Sequence, residues 1–332
     1  MSHIAILDDD VLAPNEALPF RDEKWNASYG YLLKQAAERG IPVILSNDFA
    51  YEAGYVGWGW IWHDGGFTGV GETPIVAVYD KFPSTDPAGR EKIHDMQQRG
   101  IAIFNHPELT LVVDDKHLNY HNFKEWVPYS HYYHQGVDDP HRTLIEFSET
   151  ARALGFSPTL FVAKPQWGYG AMNVAFFTLE DPEVLTSLPP GEYVLQPFID
   201  SSGGIPEIGL AGMHDLRVIL ADGQFVTSYI RQPPPGRLVS NAFLPGSLVY
   251  LTEEDDLPAP AREAVHAIDA RFSNYRPRLY SIDLVRAPDG RFFCFEMNSR
   301  PGTVSDGSPH DERGTRIVMD RIVDCFATLL DR

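Results

Sequence analysis

Through the first hundred residues, short apolar runs alternate with amphipathic stretches of helical spacing. "HIAILD" (3–8), "IPVILSN" (41–47), "TPIVAVYDKF" (73–82) and "IAIFNHP" (101–107) predict strands. "ASYGYLLKQAAERG" (27–40) and "AGREKIHDMQQRG" (88–100) predict helices closed by Gly40 and Gly100. Helices that return the chain between strands imply a parallel sheet. One stretch breaks the rhythm, "YEAGYVGWGWIWHDGGFTGVG" (51–71). Its Trp58, Trp60 and Trp62 alternate as on a strand or hairpin, and with His63 they also suit one wall of a substrate pocket.

Beyond residue 105 the pattern changes. "DDKHLNYHNFKEWV" (114–127) opens as a helix, and "RTLIEFSETARALG" (142–155) is a second one. "PTLFVAKPQWGYGAMNVAFFT" (158–178) predicts two strands joined by a glycine-bearing loop, and "EYVLQPFID" (192–200) another strand. "HDLRVILADGQFVTSYIRQ" (214–232) reads as a hairpin turning at Asp222-Gly223, the residues such a turn prefers. "APAREAVHAIDARF" (259–272) is helical. "RLYSIDLVRAPDGRFFCFEMNSRPG" (278–302) predicts a second hairpin turning at Asp289-Gly290, and "GTRIVMDRIVDCFATLL" (314–330) a closing helix that packs as a lid or brace. The class is α/β, passing to α+β in the second half.

Size and charge narrow the function. The 332 residues, 43% of them apolar, exceed a usual single domain and predict two or three. No apolar run approaches the roughly 18 residues of a membrane helix, so no membrane partner is expected. "MSHIAILDDD" has no basic region before its apolar run and is expected to be a first strand, not a signal peptide. A net charge of −19 argues against nucleic acid as a partner. Cys294 and Cys325 are too few for a disulfide framework, which fits a reducing cytoplasm. The histidines are scattered without zinc spacing.

The chemistry starts at the second hairpin. In "FFCFEMNSRPG" (292–302), Glu296 and Asn298 share one face of a strand that otherwise asks to be buried. Counted from the turn, Asp283 and Glu296 are roughly equidistant and can be cross-strand neighbours. Two carboxylates and an amide oxygen suit Mg²⁺ or Mn²⁺, and Mg²⁺ commonly shares its shell with phosphates. Phosphate donors are available: Lys164 precedes Gly168 and Gly170, whose backbone can approach phosphate oxygens. Arg217 and Arg231 sit on opposite arms of the first hairpin, with Asn241 shortly after, and guanidinium groups bind carboxylates and phosphates.

In order, "DDK" (114–116), "VAKPQWGYG" (162–170), "VLQPFI" (194–199), "DLRV" (215–218), Arg231 with "SN" (240–241), "SIDLV" (281–285) and "FEMNSRPG" (295–302) resemble the ATP-grasp enzymes, in the branch of glutathione synthetase and the RimK-like ligases. The likeness spans roughly residues 105 to 305. It implies an ATP-grasp fold: an N-terminal Rossmann-like parallel-sheet domain (1–105), a small central lid domain (106–198) and a C-terminal antiparallel-sheet domain (199–332). It also implies that Lys116 and Lys164 hold ATP phosphates beneath the Gly168–Gly170 lid, and that Gln196, Pro197, Phe198 and Ile199 form the adenine hinge. By the same likeness Asp215 lies near the ribose, and Arg217, Arg231 and Asn241 surround the reacting groups. Asp283, Glu296 and Asn298 would bind Mg²⁺.

The implied reaction joins a carboxylate to an amine through an acylphosphate, with an amino acid or small peptide as substrate. The chain shows no Ser-His-Asp or Cys-His signature, and this reaction needs no protein nucleophile. Arg300, directly after the metal strand, is the candidate for a substrate carboxylate, with a structural ion pair as its other reading. A phosphotransferase on a small molecule and a non-catalytic nucleotide-binding protein are the competing functions. A homodimer is compatible with the likeness.

Overall fold

The computed structural model describes residues 2–48, 54–82, 86–156, 159–168, 170–234, 236–238, 247–305 and 308–330. The first sheet comprises β1 (His3–Leu7), β2 (Val43–Ser46), β3 (Tyr55–Val56), β4 (Gly59–His63), β5 (Gly66–Val70), β6 (Thr73–Asp80) and β7 (Ala102–Phe104). β1 pairs in parallel with β2 on one side and β6 on the other, and β7 extends β6 in parallel. Helices α1 (Glu23–Glu38) and α2 (Pro87–Gln98) take opposite faces. Ile4 and Ile6 pack with Leu32 and Leu33 of α1, while Ala5 and Leu7 pack with Ile93 and Met96 of α2. The alternation of β1 therefore feeds two cores, as a doubly wound sheet requires. α1 begins four residues before the apolar pattern, because the Asp22 side chain accepts the Lys24 N–H and caps it.

The tryptophan stretch is a hairpin, β4–β5, laid against the edge of this sheet through Leu45 and Trp60. Trp60 is buried, and its indole N–H donates to the Leu12 carbonyl at 2.7 Å. Gly59 permits the approach: a Cβ there would lie 2.5 Å from Ile44. Trp62 stacks edge-on against Phe67. Residues 51–53 lie outside the described residues.

Two short helices follow, α3 (Pro107–Asp114) and α4 (Lys116–Asn122). A second, antiparallel sheet is built from β8 (His131–Gln135), β9 (Phe161–Pro165), β10 (Ala175–Phe177) and β11 (Gly191–Pro197) in the order β10–β9–β11–β8. It carries α5 (Pro140–Ala153) and α6 (Glu183–Thr186). Half of its separate core is aromatic, with Tyr129, Tyr133, Phe147, Phe161, Phe177 and Tyr193.

The third sheet contains β12 (Asp215–Ala221), β13 (Gln224–Gln232), β14 (Ser247–Leu251), β15 (Leu279–Arg286) and β16 (Phe292–Asn298), in the order β14–β13–β12–β15–β16. Both expected hairpins form, and Asp222 and Gly223 take positive φ at the first turn. One face packs on α7 (Ala259–Ala270) and on Leu109 and Val113 of α3. On the other face, Ile219 and Ala221 join α8 (Pro309–Leu330), α1 and β1 in one shared core. The expected closing helix is thus a brace between the first and third sheets. Asn105 adds a polar tie, donating to the carbonyls of Leu279 and Ser299 and accepting the Leu279 N–H. Among the described residues no helix is long and apolar enough to cross a membrane. Both cysteines are free and buried.

Candidate functional site

The three sheets surround a cleft of about 1030 Å³. Its floor rests on a row of cross-strand neighbours on the third sheet, all but the buried Asp283 lining the cleft. Glu296 pairs with Asp283, Asp283 with Arg217, Arg217 with Tyr229, and Tyr229 with Tyr250. The register places Asp283 opposite Glu296, as expected from the turn, and Ser281 opposite Asn298. A bulge after Asp283 shifts the register so that Leu284 meets Cys294.

Asp283 is fully buried, and its oxygens are engaged by arginines. Arg217 donates to Oδ1 and Oδ2 at 2.7 and 2.6 Å, and Arg231 to Oδ2 at 3.0 Å. Arg231 also donates to Asp215 at 2.7 Å. Burial would raise the Asp283 carboxyl, but the two guanidinium groups outweigh it and hold it below the ordinary carboxylate range. The arginines expected at the reacting groups and the carboxylate expected at the metal therefore form one ion-pair cluster.

Lys116 and Lys164 arrive from different elements. Lys116 is the first residue of α4, whose N-cap Asp115 accepts the His117 and Leu118 N–H groups. Its ammonium donates to the Gly168 carbonyl at 2.7 Å and stands 3.5 Å from Glu296. Lys164, on β9, donates to the Phe295 carbonyl at 3.1 Å. Deep enclosure pulls its pKa from 10.5 to about 8, against the raising effect of Glu296. Both lysines thus converge on the strand that carries Glu296. The loop after β9 turns through positive φ at Gly168 and Gly170, and also at Ala171 and Asn173. Gln166 ties the loop's start to Asp115 at 2.7 Å.

Gln196, Pro197, Phe198 and Ile199 line the cleft with Val162, Phe176 and Met297, which makes this end apolar. Gln196 is buried; its amide donates to Ser130 at 2.8 Å while its carbonyl oxygen has no partner among the described residues. Asp215 is buried in its pair with Arg231.

Arg300 lines the cleft, but its terminal nitrogens are committed to Asp114 and Asp80. Burial would lower its pKa, and these two carboxylates drive it well above the ordinary value instead. Asp114 also accepts from the Ser299 hydroxyl and N–H. The geometry here is that of the structural ion pair, the second reading of Arg300. Asn298 lines the cleft and accepts the Arg300 N–H at 2.8 Å. Asn241 lies outside the described residues. None of Trp58, Trp60 and Trp62 is among the residues lining the cleft; Trp25 of α1 is. Sequence reasoning missed Asp8, Asp80 and Lys81, which lie at the carboxyl ends of β1 and β6; a parallel sheet should have directed attention there.

No protein-family model matches the chain, and no curated protein matches it in sequence. Solved structures do match. D-alanyl-alanine synthetase A of Vibrio cholerae is 14% identical, with a TM-score of 0.65 over 100% of both chains. D-cycloserine synthetase is 16% identical, with a TM-score of 0.58 over 97% of this chain and 100% of that one. A RimK-domain ATP-grasp protein of Sphaerobacter thermophilus is 14% identical, with a TM-score of 0.59 over 98% of this chain and 100% of that one. Identities this low establish a likeness of fold, and that fold is the ATP-grasp fold.

Proposed function

From the ATP-grasp fold and the residues of its cleft, we propose that the protein is an ATP-dependent carboxylate–amine ligase acting on an amino acid or small peptide. The observation that carries this reading is the convergence of Lys116, at Glu296, and Lys164, at the Phe295 carbonyl, on one strand beside a glycine loop. Two ammonium groups beside one carboxylate-bearing strand form a site built for an anion that arrives with its own cation. The apolar end at Val162, Phe176 and Phe198 offers the face that adenine needs, beside the polar backbone of residues 196–199.

The donor set fits a hard divalent cation. Glu296 and Asn298 would hold it from the cleft wall; Asp283, beneath them and engaged by Arg217 and Arg231, would complete the set only if one of its oxygens were given up. Bound magnesium supplies neutralisation of the triphosphate charge. Lys116 and Lys164 bind the phosphate oxygens, and Arg217 and Arg231, with Asn241, stabilise charge on the groups that react.

In the proposed reaction a substrate carboxylate oxygen bonds to the γ-phosphorus of ATP and the bond to ADP breaks. The resulting acylphosphate is attacked by an amine at the acyl carbon. Phosphate leaves, the amine loses a proton, and an amide remains. Catalysis is by positioning and charge, with the loop at Gly168–Gly170 excluding water from the acylphosphate. The division into units 1–105, 106–198 and 199–332, with the middle one closing over the nucleotide, belongs to the same reading.

The test is ADP release with Mg²⁺ across pairs of carboxylates and amines, followed by mass spectrometry. A coupled product one water lighter than its two substrates is expected. A phosphorylated product without coupling would make the protein a phosphotransferase, and no ADP release with any pair would sink the ligase reading.

A further inference from the structure

The first sheet contributes its own wall to the cleft, and that wall carries a lysine with one long hydrogen bond. Lys81 is the residue after β6, and its backbone N–H donates to the Leu7 carbonyl at 2.8 Å, so it starts beside the end of β1. The chain runs from β1 to β2 on one side and returns to β6 on the other, with α1 and α2 on opposite faces. The gap between the carboxyl ends of β1 and β6 is therefore the switch point of the sheet, where diverging loops leave a binding crevice. Asp8, Lys81 and Arg300 all line the cleft there.

The cleft's other cations at its core already have partners. Arg217 and Arg231 share Asp283, and Arg231 also holds Asp215. Arg300 lies between Asp80 and Asp114. Lys116 holds Gly168 and Glu296, and Lys164 the Phe295 carbonyl. Lys81 has three donors to place. Among the described residues its ammonium meets the Pro301 carbonyl at 3.4 Å and lies 5.6 Å from the centre of the Tyr79 ring. Asp8, the carboxylate across the gap, attracts Lys81 electrostatically, while its hydrogen bonds come from the Tyr29 hydroxyl at 2.7 Å and the Asp10 N–H at 3.1 Å. Enclosure lowers the pKa of Lys81 from 10.5 to about 8, against the raising effect of Asp8 and Asp80.

We propose that Lys81 binds the non-reacting carboxylate of an amino-acid or peptide substrate, taking the role that the sequence suggests for Arg300. This rests on the ligase reading for its substrate class, but on the geometry of the first sheet for its place. A carboxylate here completes the hydrogen bonding of Lys81 and fixes one end of the substrate at the sheet's switch point.

The experiment is thermal shift with ADP and Mg²⁺ present, using free amino acids and their C-terminal amides on the parent, Lys81→Met and Lys81→Gln. At least one free amino acid should stabilise the parent while its amide does not. Lys81→Met, which keeps the bulk of the side chain, should bind that amino acid about ten- to a hundred-fold more weakly, with ADP binding unchanged. Lys81→Gln serves as the check should the first variant not fold. Equal stabilisation by acid and amide, a parent-like response of the variants, or no response to any carboxylate would overturn the assignment. Failure of the ligase reading shows separately, as absence of ADP release in the parent.

Discussion

Arg217 and Asp283 face each other on β12 and β15 and share two hydrogen bonds, at 2.7 and 2.6 Å. Arg231 shares the same carboxylate, so one buried anion positions two guanidinium groups at the floor of the cleft.

Replacing Asp283 by Asn should cost about 3–5 kcal/mol of stability, because two buried cations lose their common partner. Urea denaturation measures this. The Asp283 carboxyl is held below the ordinary carboxylate range. Its stabilisation is thus complete above the unfolded value of about 3.9 and is lost as pH falls through the lower folded value. The acid limb of the stability curve should be shallower in Asp283→Asn; an unchanged limb contradicts the ion-pair account.

Lys164 works in the opposite direction. Its folded pKa of about 8 lies below the ordinary 10.5. Between these values the unfolded chain holds more protons, so stability should rise with pH across this window. Lys164→Met removes that rise and should raise the melting temperature near pH 7, while weakening ATP binding at least about ten-fold. Calorimetry across pH 7–10 and an ATP titration read the two effects; a variant that binds ATP like the parent would exclude Lys164 from the phosphate site.

Glu296→Gln tests the cation site. It keeps shape and removes the charge on which Lys116 converges. Mg²⁺-dependent ADP release should fall by about two to three orders of magnitude with little change in melting temperature. Full activity in this variant would remove Glu296 from the metal assignment.

Trp60→Ala should cost about 3–5 kcal/mol, since it empties a buried site and strips the Leu12 carbonyl of its donor. Because no tryptophan of the hairpin is among the residues lining the cleft, substrate preference should stay as it is. A changed preference, seen in the same ADP-release screen, would return the hairpin to the pocket wall.

Much of the third sheet was legible in the chain. Turn residues at Asp222-Gly223 and Asp289-Gly290 set the hairpins, and counting from the second turn places Asp283 opposite Glu296. What counting could not reach is side-chain partnership across β12 and β15, since Arg217 and Asp283 are 66 residues apart. β8 escaped because "HYYHQ" buries only Tyr133, leaving no alternation to read. α3 escaped because its apolar "LTLVV" follows directly on the strand-like "IAIFNHP". The commitment of Arg300 to Asp80 and Asp114 joins three distant segments, and nothing local announces it.

The brace formed by α8 also bears on how the chain comes to be folded. Ile4 and Ile6 share a core with Val323, Phe326 and Leu329. On the ribosome the first sheet can pair its strands early, yet the core on its α1 side stays incomplete until the last helix has emerged. At typical synthesis rates that interval is on the order of tens of seconds. During it the side of α1 that meets α8 is exposed, a natural moment for a chaperone to engage. Truncation within α8 should therefore disturb the beginning of the chain as much as its end.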